Sequence, residues 1–278
     1  MNLREIVAHA LAEDCGTGDV TTKALFPANV PASGTILAEE PEGLVVAGLA
    51  VAVEVFSQVD TSLECTTHFA DGDRIPAGAT VLTVTGDGRS MLQGERVALN
   101  FLQRLSGIAT LTAKFCDAVK GFKTRIVDTR KTTPGLRALE KWAVTLGGGW
   151  NHRQSLADGI LIKDNHLALA GGDVARACRL ARERAPHSLK IEVEVQSLDA
   201  VKAALDGGAD IILLDNMSVP TICRAIELIK GRATIEVSGG VTLGHVREIA
   251  AAGADLISVG ALTHSAPAAR FSMDIVPK

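Results

Sequence analysis

From about residue 124 onward the chain repeats one pattern. Short apolar runs, "TRIVDTR", "DGILIKDN", "KIEVEV", "DIILLDN", "TIEVSGG" and "DLISVG", read as six β-strands. Between them lie segments such as "SVPTICRAIELIKG" and "TLGHVREIAAAGA", whose apolar positions recur every three or four residues, as in a helix. Near-continuous apolar strands alternating with helices predict a parallel sheet covered by helices, either a closed barrel or a doubly wound sheet. Before about residue 115 the texture differs. "TILAEEPEGLVVAG" and "DGDRIPAGATVLTVTGDGRSML" alternate and carry Asp-Gly turns, which predicts antiparallel hairpins. Helices are expected over residues 2 to 12 and from Gly94 to about Ala118, giving an N-terminal α+β domain over residues 1–115.

Composition narrows the class. With 278 residues the chain can bury a substantial core, and 22% charged with 47% hydrophobic residues describes a soluble globular protein. A net charge of -4 gives no reason to expect nucleic acid as a partner. The run "GLVVAGLAVAVEVF" is too short for a bilayer span and contains Glu54, so no membrane association is expected either. "MNLREIVAHALAED" has acidic residues where a signal peptide needs an apolar core, and a cytoplasmic location follows as the expectation. The five cysteines are widely spaced and form no Cys/His pattern, which argues against disulfides and structural zinc. The turn pattern of "DGDRIPAGATVL" resembles that of carrier domains bearing lipoyl or biotinyl groups, but no lysine sits at a hairpin tip, and the segment reads as structural.

The candidate chemistry lies where the strands end. Asp128, Arg130 and Lys131 follow the first; Lys163, Asp164 and Asn165 end the second; Glu192 and Glu194 lie on the third. Asp215 and Asn216 end the fourth, Ser238, Gly239 and Gly240 the fifth, and Gly260 the sixth. That edge is where both barrels and open α/β sheets build active sites. Arg130, Lys131, His152, Arg153 and Lys163 form a cationic set that repels itself unless an anion lies among its members. Arginine fits carboxylate or phosphate as a planar fork, while lysine acts as a point charge, so the set suits a ligand with more than one kind of anionic group. Glu194 and Asp215 could hold Mg2+ or ribose hydroxyls, or could pair with the cations as salt bridges. Glu192, on the same strand face as Glu194, could share the site or balance a lysine. "SGG" and "VGALTHS" on the last two strands suit a phosphate. In "TTPGLRALEKWAVTLGGG" Thr133 is read as an N-cap and Pro134 as the first helical residue, with Leu136, Leu139, Ala143 and Leu146 as the buried stripe.

"DTRKTTPGLRALEKWAVTLGGGWNHR", "LIKDNH", "IEVEV", "LLDN", "SGG" and "VGALTHS", in this order, closely resemble the quinolinate phosphoribosyltransferase family. "EDCGTGDVTT" and "GERVALNFLQRLSGIAT" upstream are also similar to that family, so the resemblance spans nearly the whole chain. A molybdenum-associated group resembles the chain less at "TTPG", "GGGWNHR" and "LIKDNH"; "ARFSMDIV" near the end is a looser match. The resemblance implies an α/β fold: an incomplete βα barrel of about six parallel strands over 116–270, preceded by an α+β domain with an antiparallel sheet, with the tail 271–278 packing back on that domain.

It also implies a reaction. Quinolinate and phosphoribosyl pyrophosphate, with Mg2+, would give nicotinate mononucleotide, pyrophosphate and carbon dioxide, a step of NAD biosynthesis. In family terms Arg130, His152, Arg153 and Lys163 would surround quinolinate, and Lys131 and Lys163 would lie near the phosphoribosyl donor. Glu194 and Asp215 would bind ribose or metal, and Ser238, Gly239, Gly240, Gly260 and His264 would line the phosphate site. Arg96 matches a residue that relatives supply from the neighbouring subunit, which implies a homodimer with shared active sites. Two other readings compete. Lys163 at a strand end suits a Schiff-base lyase or decarboxylase acting on a phosphorylated anion, and the same cations could serve a noncatalytic sensor of an anionic metabolite.

Overall fold

The computed structural model describes residues 2–278. Helix α1 (Leu3–Cys15) opens on a capping box: Asn2 accepts from the Glu5 amide at 2.9 Å, and the Glu5 carboxylate accepts from the Asn2 amide at 2.8 Å. In chain order there follow α2 (Val20–Leu25), β1 (Pro31–Ala38), β2 (Leu44–Val45), α3 (Leu49–Val59), β3 (Glu64–Thr67), β4 (Arg74–Ile75), β5 (Thr80–Asp87) and α4 (Gly88–Ala118). The second half contains β6 (Arg125–Val127), α5 (Arg137–Leu146), β7 (Ile160–Ile162), α6 (Asp164–Leu169), α7 (Val174–Arg184), β8 (Ile191–Val195), α8 (Leu198–Asp206) and β9 (Ile211–Asp215). It closes with α9 (Val219–Ile229), β10 (Thr234–Ser238), α10 (Val246–Ala252), β11 (Leu256–Ser258), α11 (Ala261–His264) and β12 (Phe271–Pro277).

These elements form two compact units. One contains the described residues up to Ala113, with Thr132–Gly148 and His264–Lys278; the other contains Lys114–Lys131 and Gly149–Thr263. In the first, an antiparallel sheet runs in the order β12-β1-β5-β3, so the end of the chain pairs with β1 from Ala32↔Pro277 to Ala38↔Phe271. Burial alternates along β1, as one face covered by core requires. The long helix α4 supplies Leu102, Leu105, Ile108 and Ala109, all within about 1% of complete burial. It starts at Gly88, earlier than the Gly94 expected from periodicity. The Asp87 carboxylate is the reason: it accepts from the Arg89 amide at 3.1 Å and satisfies one of the orphan donors of the first turn.

Helix α5, also in this unit, starts later than its sequence suggests. Gly135 has φ +83°, which ends any helical run from Pro134, and the first helical residue is Arg137. Thr133 caps nothing; its amide and hydroxyl both go to the buried Glu140 carboxylate, at 3.0 and 2.7 Å. Of the expected stripe, Leu139 and Ala143 are buried and Leu136 and Leu146 half-buried, while Glu140 and Lys141 are buried beside them.

The second unit is the six-stranded parallel sheet, in the order β6-β11-β10-β9-β8-β7. Every strand neighbours its successor in sequence except β6 and β7, so the barrel is open along that one seam. The segment after α5 runs into the seam: Trp150 forms a parallel bridge with Val127, donating to the Ile126 carbonyl at 2.8 Å. The odd positions of β8, Ile191, Val193 and Val195, are buried, as are Ile212, Leu214, Ile126 and Ile257 on their strands. Each such side chain contributes about 1.5–3 kcal/mol through its burial. Alternation then places Glu192 and Glu194 on the opposite face of β8, and Glu236 and Ser238 on the corresponding face of β10.

Candidate active site

The strand ends of the parallel sheet gather the expected residues. Asp128, completely buried just past β6, accepts from the Asn151 side-chain amide at 2.6 Å and from the His152 main-chain amide at 2.9 Å. That carboxylate fixes the "WNHR" segment against the first strand. A self-contained loop follows: Asp158 accepts from the amides of Gln154 and Ser155 at 2.6 and 2.7 Å, and these bonds hold its pKa down at about 2. The loop returns at Gly159, whose carbonyl accepts from Arg153 Nη1 at 2.8 Å. A Cβ at Gly159 would lie 3.3 Å from Arg153 Cβ, so glycine lets the arginine lie along the chain.

Of the five expected cations, one bears on another in the structure. Burial first, and next the Arg130 guanidinium, hold the Arg153 pKa below the usual arginine range, with Glu192 and Asp158 acting in the opposite direction. Two guanidiniums in that relation are stabilised by an anion between them. Across the sheet, Lys163 Nζ lies 3.3 Å from Glu194 Oε2, with the lysine side chain 45% exposed. That is an ion pair, where a Schiff-base lyase needs a desolvated neutral amine. Of the two readings of Glu194, metal ligand and salt-bridge partner, the second is the arrangement the side chain adopts here.

Asp215 ends β9 beside Ser238 of β10, its register partner. Its Oδ2 accepts from Gln196 Nε2 at 3.2 Å and from Asn216 Nδ2 at 2.7 Å. Asn216 is left-handed, φ +53°, and its amide donates to the Ser238 carbonyl at 3.0 Å. Here Gly239 is obligatory: φ is +93°, and a Cβ would stand 2.8 Å from the Asn216 nitrogen and overlap its side chain. Gly240, φ +59°, continues the turn, and α10 begins only at Val246. Lys131 is exposed; its amide donates to Thr129 Oγ1 at 3.0 Å, and its carbonyl accepts from Thr263 Oγ1 at 2.8 Å, a hydroxyl that also reaches the Gly260 carbonyl. Arg96 and His264 belong to the other unit. Arg96 stands on α4, 58% exposed and 4.0 Å from Glu95; His264 ends α11 with Nδ1 2.6 Å from Ser265 Oγ.

Three side chains inside the sheet form a cluster that the sequence does not announce. His152 Nε2 lies 3.1 Å from Glu192 Oε2 and 3.6 Å from Glu236 Oε2, while His152 Nδ1 accepts from the Arg153 amide at 2.7 Å. Glu192 therefore serves the histidine rather than a lysine. Glu236 is 1% exposed. Burial first, then the neighbouring Glu192 carboxylate, push its pKa up to about 7, against the pull of His152, Ser258 and Lys163. An acid in the middle of "TIEVSGG" is the only sequence signal for it, and it gains meaning only beside His152.

Known proteins resemble this chain over nearly its whole length. The model for the quinolinate phosphoribosyl transferase N-terminal domain matches residues 19–106, and that for the C-terminal domain matches residues 108–274. The probable carboxylating nicotinate-nucleotide pyrophosphorylase of Bacillus subtilis is 41% identical over 275 residues, 99% of this chain and 94% of that protein. The Synechocystis protein of the same description is 42% identical, covering 96% and 90%. Among solved structures, NadC from Streptococcus pyogenes superposes with a TM-score of 0.92 at 44% identity, covering 99% of this chain and 96% of that one. The nicotinate-nucleotide pyrophosphorylase of Ehrlichia chaffeensis gives 0.94 at 39% identity, covering 99% of each. With both domains matched, and with relatives similar from end to end, the chain belongs to the quinolinate phosphoribosyltransferase family.

Proposed function

We propose that this chain transfers phosphoribosyl from phosphoribosyl pyrophosphate to the ring nitrogen of quinolinate and removes the adjacent carboxylate, giving nicotinate mononucleotide, pyrophosphate and carbon dioxide. The observation that carries the reading is the half-buried Arg153, pressed on by the Arg130 guanidinium, on the same sheet as the strand-end acids Glu194 and Asp215 in a protein of this family. Arg153, held at the Gly159 carbonyl, and Arg130 receive the two carboxylates of quinolinate. Lys131 and Lys163 face the diphosphate, and the backbone around Gly239 and Gly240 receives the terminal phosphate. Positioning then supplies most of the catalysis, because the nitrogen must lie in line with the anomeric carbon.

The reading includes Mg2+. Glu194 and Asp215 fit it in kind: they lie at the ends of adjacent strands and offer only hard oxygen donors. When bound, the ion stabilises the departing diphosphate. Glu194 would exchange its ion pair with Lys163 for that role, releasing the lysine toward the donor. The reading further includes a twofold dimer in which Arg96, largely exposed on α4, enters the partner's site, in a cytoplasmic setting. Among the described residues no helix is long and apolar enough to cross a membrane. The test is formation of nicotinate mononucleotide and pyrophosphate from the two substrates, with and without Mg2+. Binding of quinolinate with no pyrophosphate released would leave a sensor instead.

A further inference from the structure

A cavity of about 430 Å³ lies inside the parallel sheet, and Lys163, Glu194 and Asp215 are not part of its lining. Its lining includes Arg125, Ile211 and Leu256, the first residues of β6, β9 and β11, and Lys190 immediately before β8. Those positions mark the N-terminal ends of the strands, opposite the rim. From there the cavity reaches His152, Glu192 and Glu236, and it touches Arg153. Both oxygens of Glu236 are buried, and their polar neighbours are Ser258 and, 3.6 Å from Oε2, His152 Nε2, with no main-chain donor among them. An acid so placed is costly unless it holds a proton or has a task. A metal ion does not answer for the cluster. The Arg153 amide donates to His152 Nδ1, so the ring proton sits on Nε2, and that nitrogen has no lone pair for a metal.

The proposed reaction has a need that this geometry meets. When the C2 carboxylate leaves as carbon dioxide, the C2–C bond breaks with its electron pair remaining on C2, stabilised by the adjacent ribosylated nitrogen. C2 must then take up one proton, at a moment when the ribosylated intermediate and pyrophosphate occupy the rim. Resting on the reading above, we infer that the cavity is a rear passage for this proton and that Glu236 is its carrier. The Glu236 O–H bond breaks, the C2 electron pair forms the C–H bond, and a solvent proton relayed by water from the strand starts restores the carboxyl group. The groups that set the proton's hold are Glu192 on β8, His152 in the seam, Lys163 after β7 and Ser258 on β11. A carboxyl half-protonated near neutrality suits general-acid work.

The test uses quinolinate labelled in its 2-carboxylate, phosphoribosyl pyrophosphate and Mg2+, with pyrophosphate and labelled carbon dioxide measured in a single turnover. Wild type releases both in equal amounts; Glu236→Gln keeps its pyrophosphate release but loses carbon dioxide release by roughly a hundredfold, and the ribosylated dicarboxylate accumulates. Parallel loss of both products, or loss of neither, overturns the carrier role. Wild type that makes neither product overturns the phosphoribosyl reading itself. If the glutamine variant fails to fold, Ile211→Trp narrows the entrance without touching Glu236. Its first turnover should be normal and its steady state slowed, because only recharging is impaired; an unimpaired steady state refutes the passage.

Discussion

At Arg153 the guanidinium is oriented before any ligand arrives. The Gly159 carbonyl holds one nitrogen and the His152–Arg153 junction holds the main chain, so little entropy is lost when a carboxylate meets the fork. Arg153→Ala should weaken quinolinate binding by roughly 2 kcal/mol or more, the cost of a charge-assisted contact, and phosphoribosyl pyrophosphate binding much less. Calorimetric titration with each ligand checks this, and equal losses would contradict it. Glu236 makes a different prediction. Its pKa stands at about 7 against an ordinary 4.5, so the folded protein binds the proton more tightly than the unfolded chain. Stability from this group is complete below about pH 4.5 and declines as pH rises through about 7. Urea midpoints of the wild type should therefore fall, relative to Glu236→Gln, between about pH 5 and about pH 8; parallel curves would show that the proton is not held there.

Among the elements, α5 depends on one buried charge. Glu140 is fully buried and accepts from Arg104 Nη2 at 2.8 Å and Nε at 3.1 Å, besides both donors of Thr133. Arg104→Met leaves that carboxylate without its cation and should destabilise the protein by roughly 3 kcal/mol, read from chemical denaturation. A change near zero would mean that the threonine bonds suffice. The same carboxylate explains why the helix start was misjudged. "TTPG" contains good capping residues, but the partner that draws Thr133 away lies seven positions later and on another face, invisible to local rules. The six strands were legible because each is a short β-branched and apolar run between turn residues, alternating with acids only in β8, and so were Lys163, Asp215 and Ser238 at their ends. Glu236 was not, since an isolated acid in a strand acquires a role only through a neighbour distant in sequence. The seam at Trp150 was equally hidden, because "GGGWNH" has no strand periodicity at all.

For the whole molecule, the proposed sharing of sites can be decided by complementation. Homodimers of Arg96→Ala and of Lys131→Ala should each be nearly inactive. Unfolded together and refolded in equal amounts, about half of the dimers should be mixed, and one intact site in each should restore about a quarter of wild-type activity. Mixed dimers confirmed by tags but without activity would place Arg96 in its own subunit's site or in none. The seam has a further consequence. Trp150 occupies a backbone position that would otherwise leave the β6 edge open, and an open parallel edge invites another chain. The segment that carries Arg153 is thus also a stopper on a sticky edge. Lesions in "GGGWNHR" should therefore cost solubility as well as turnover, and aggregation in the purified variant would report the first apart from the second.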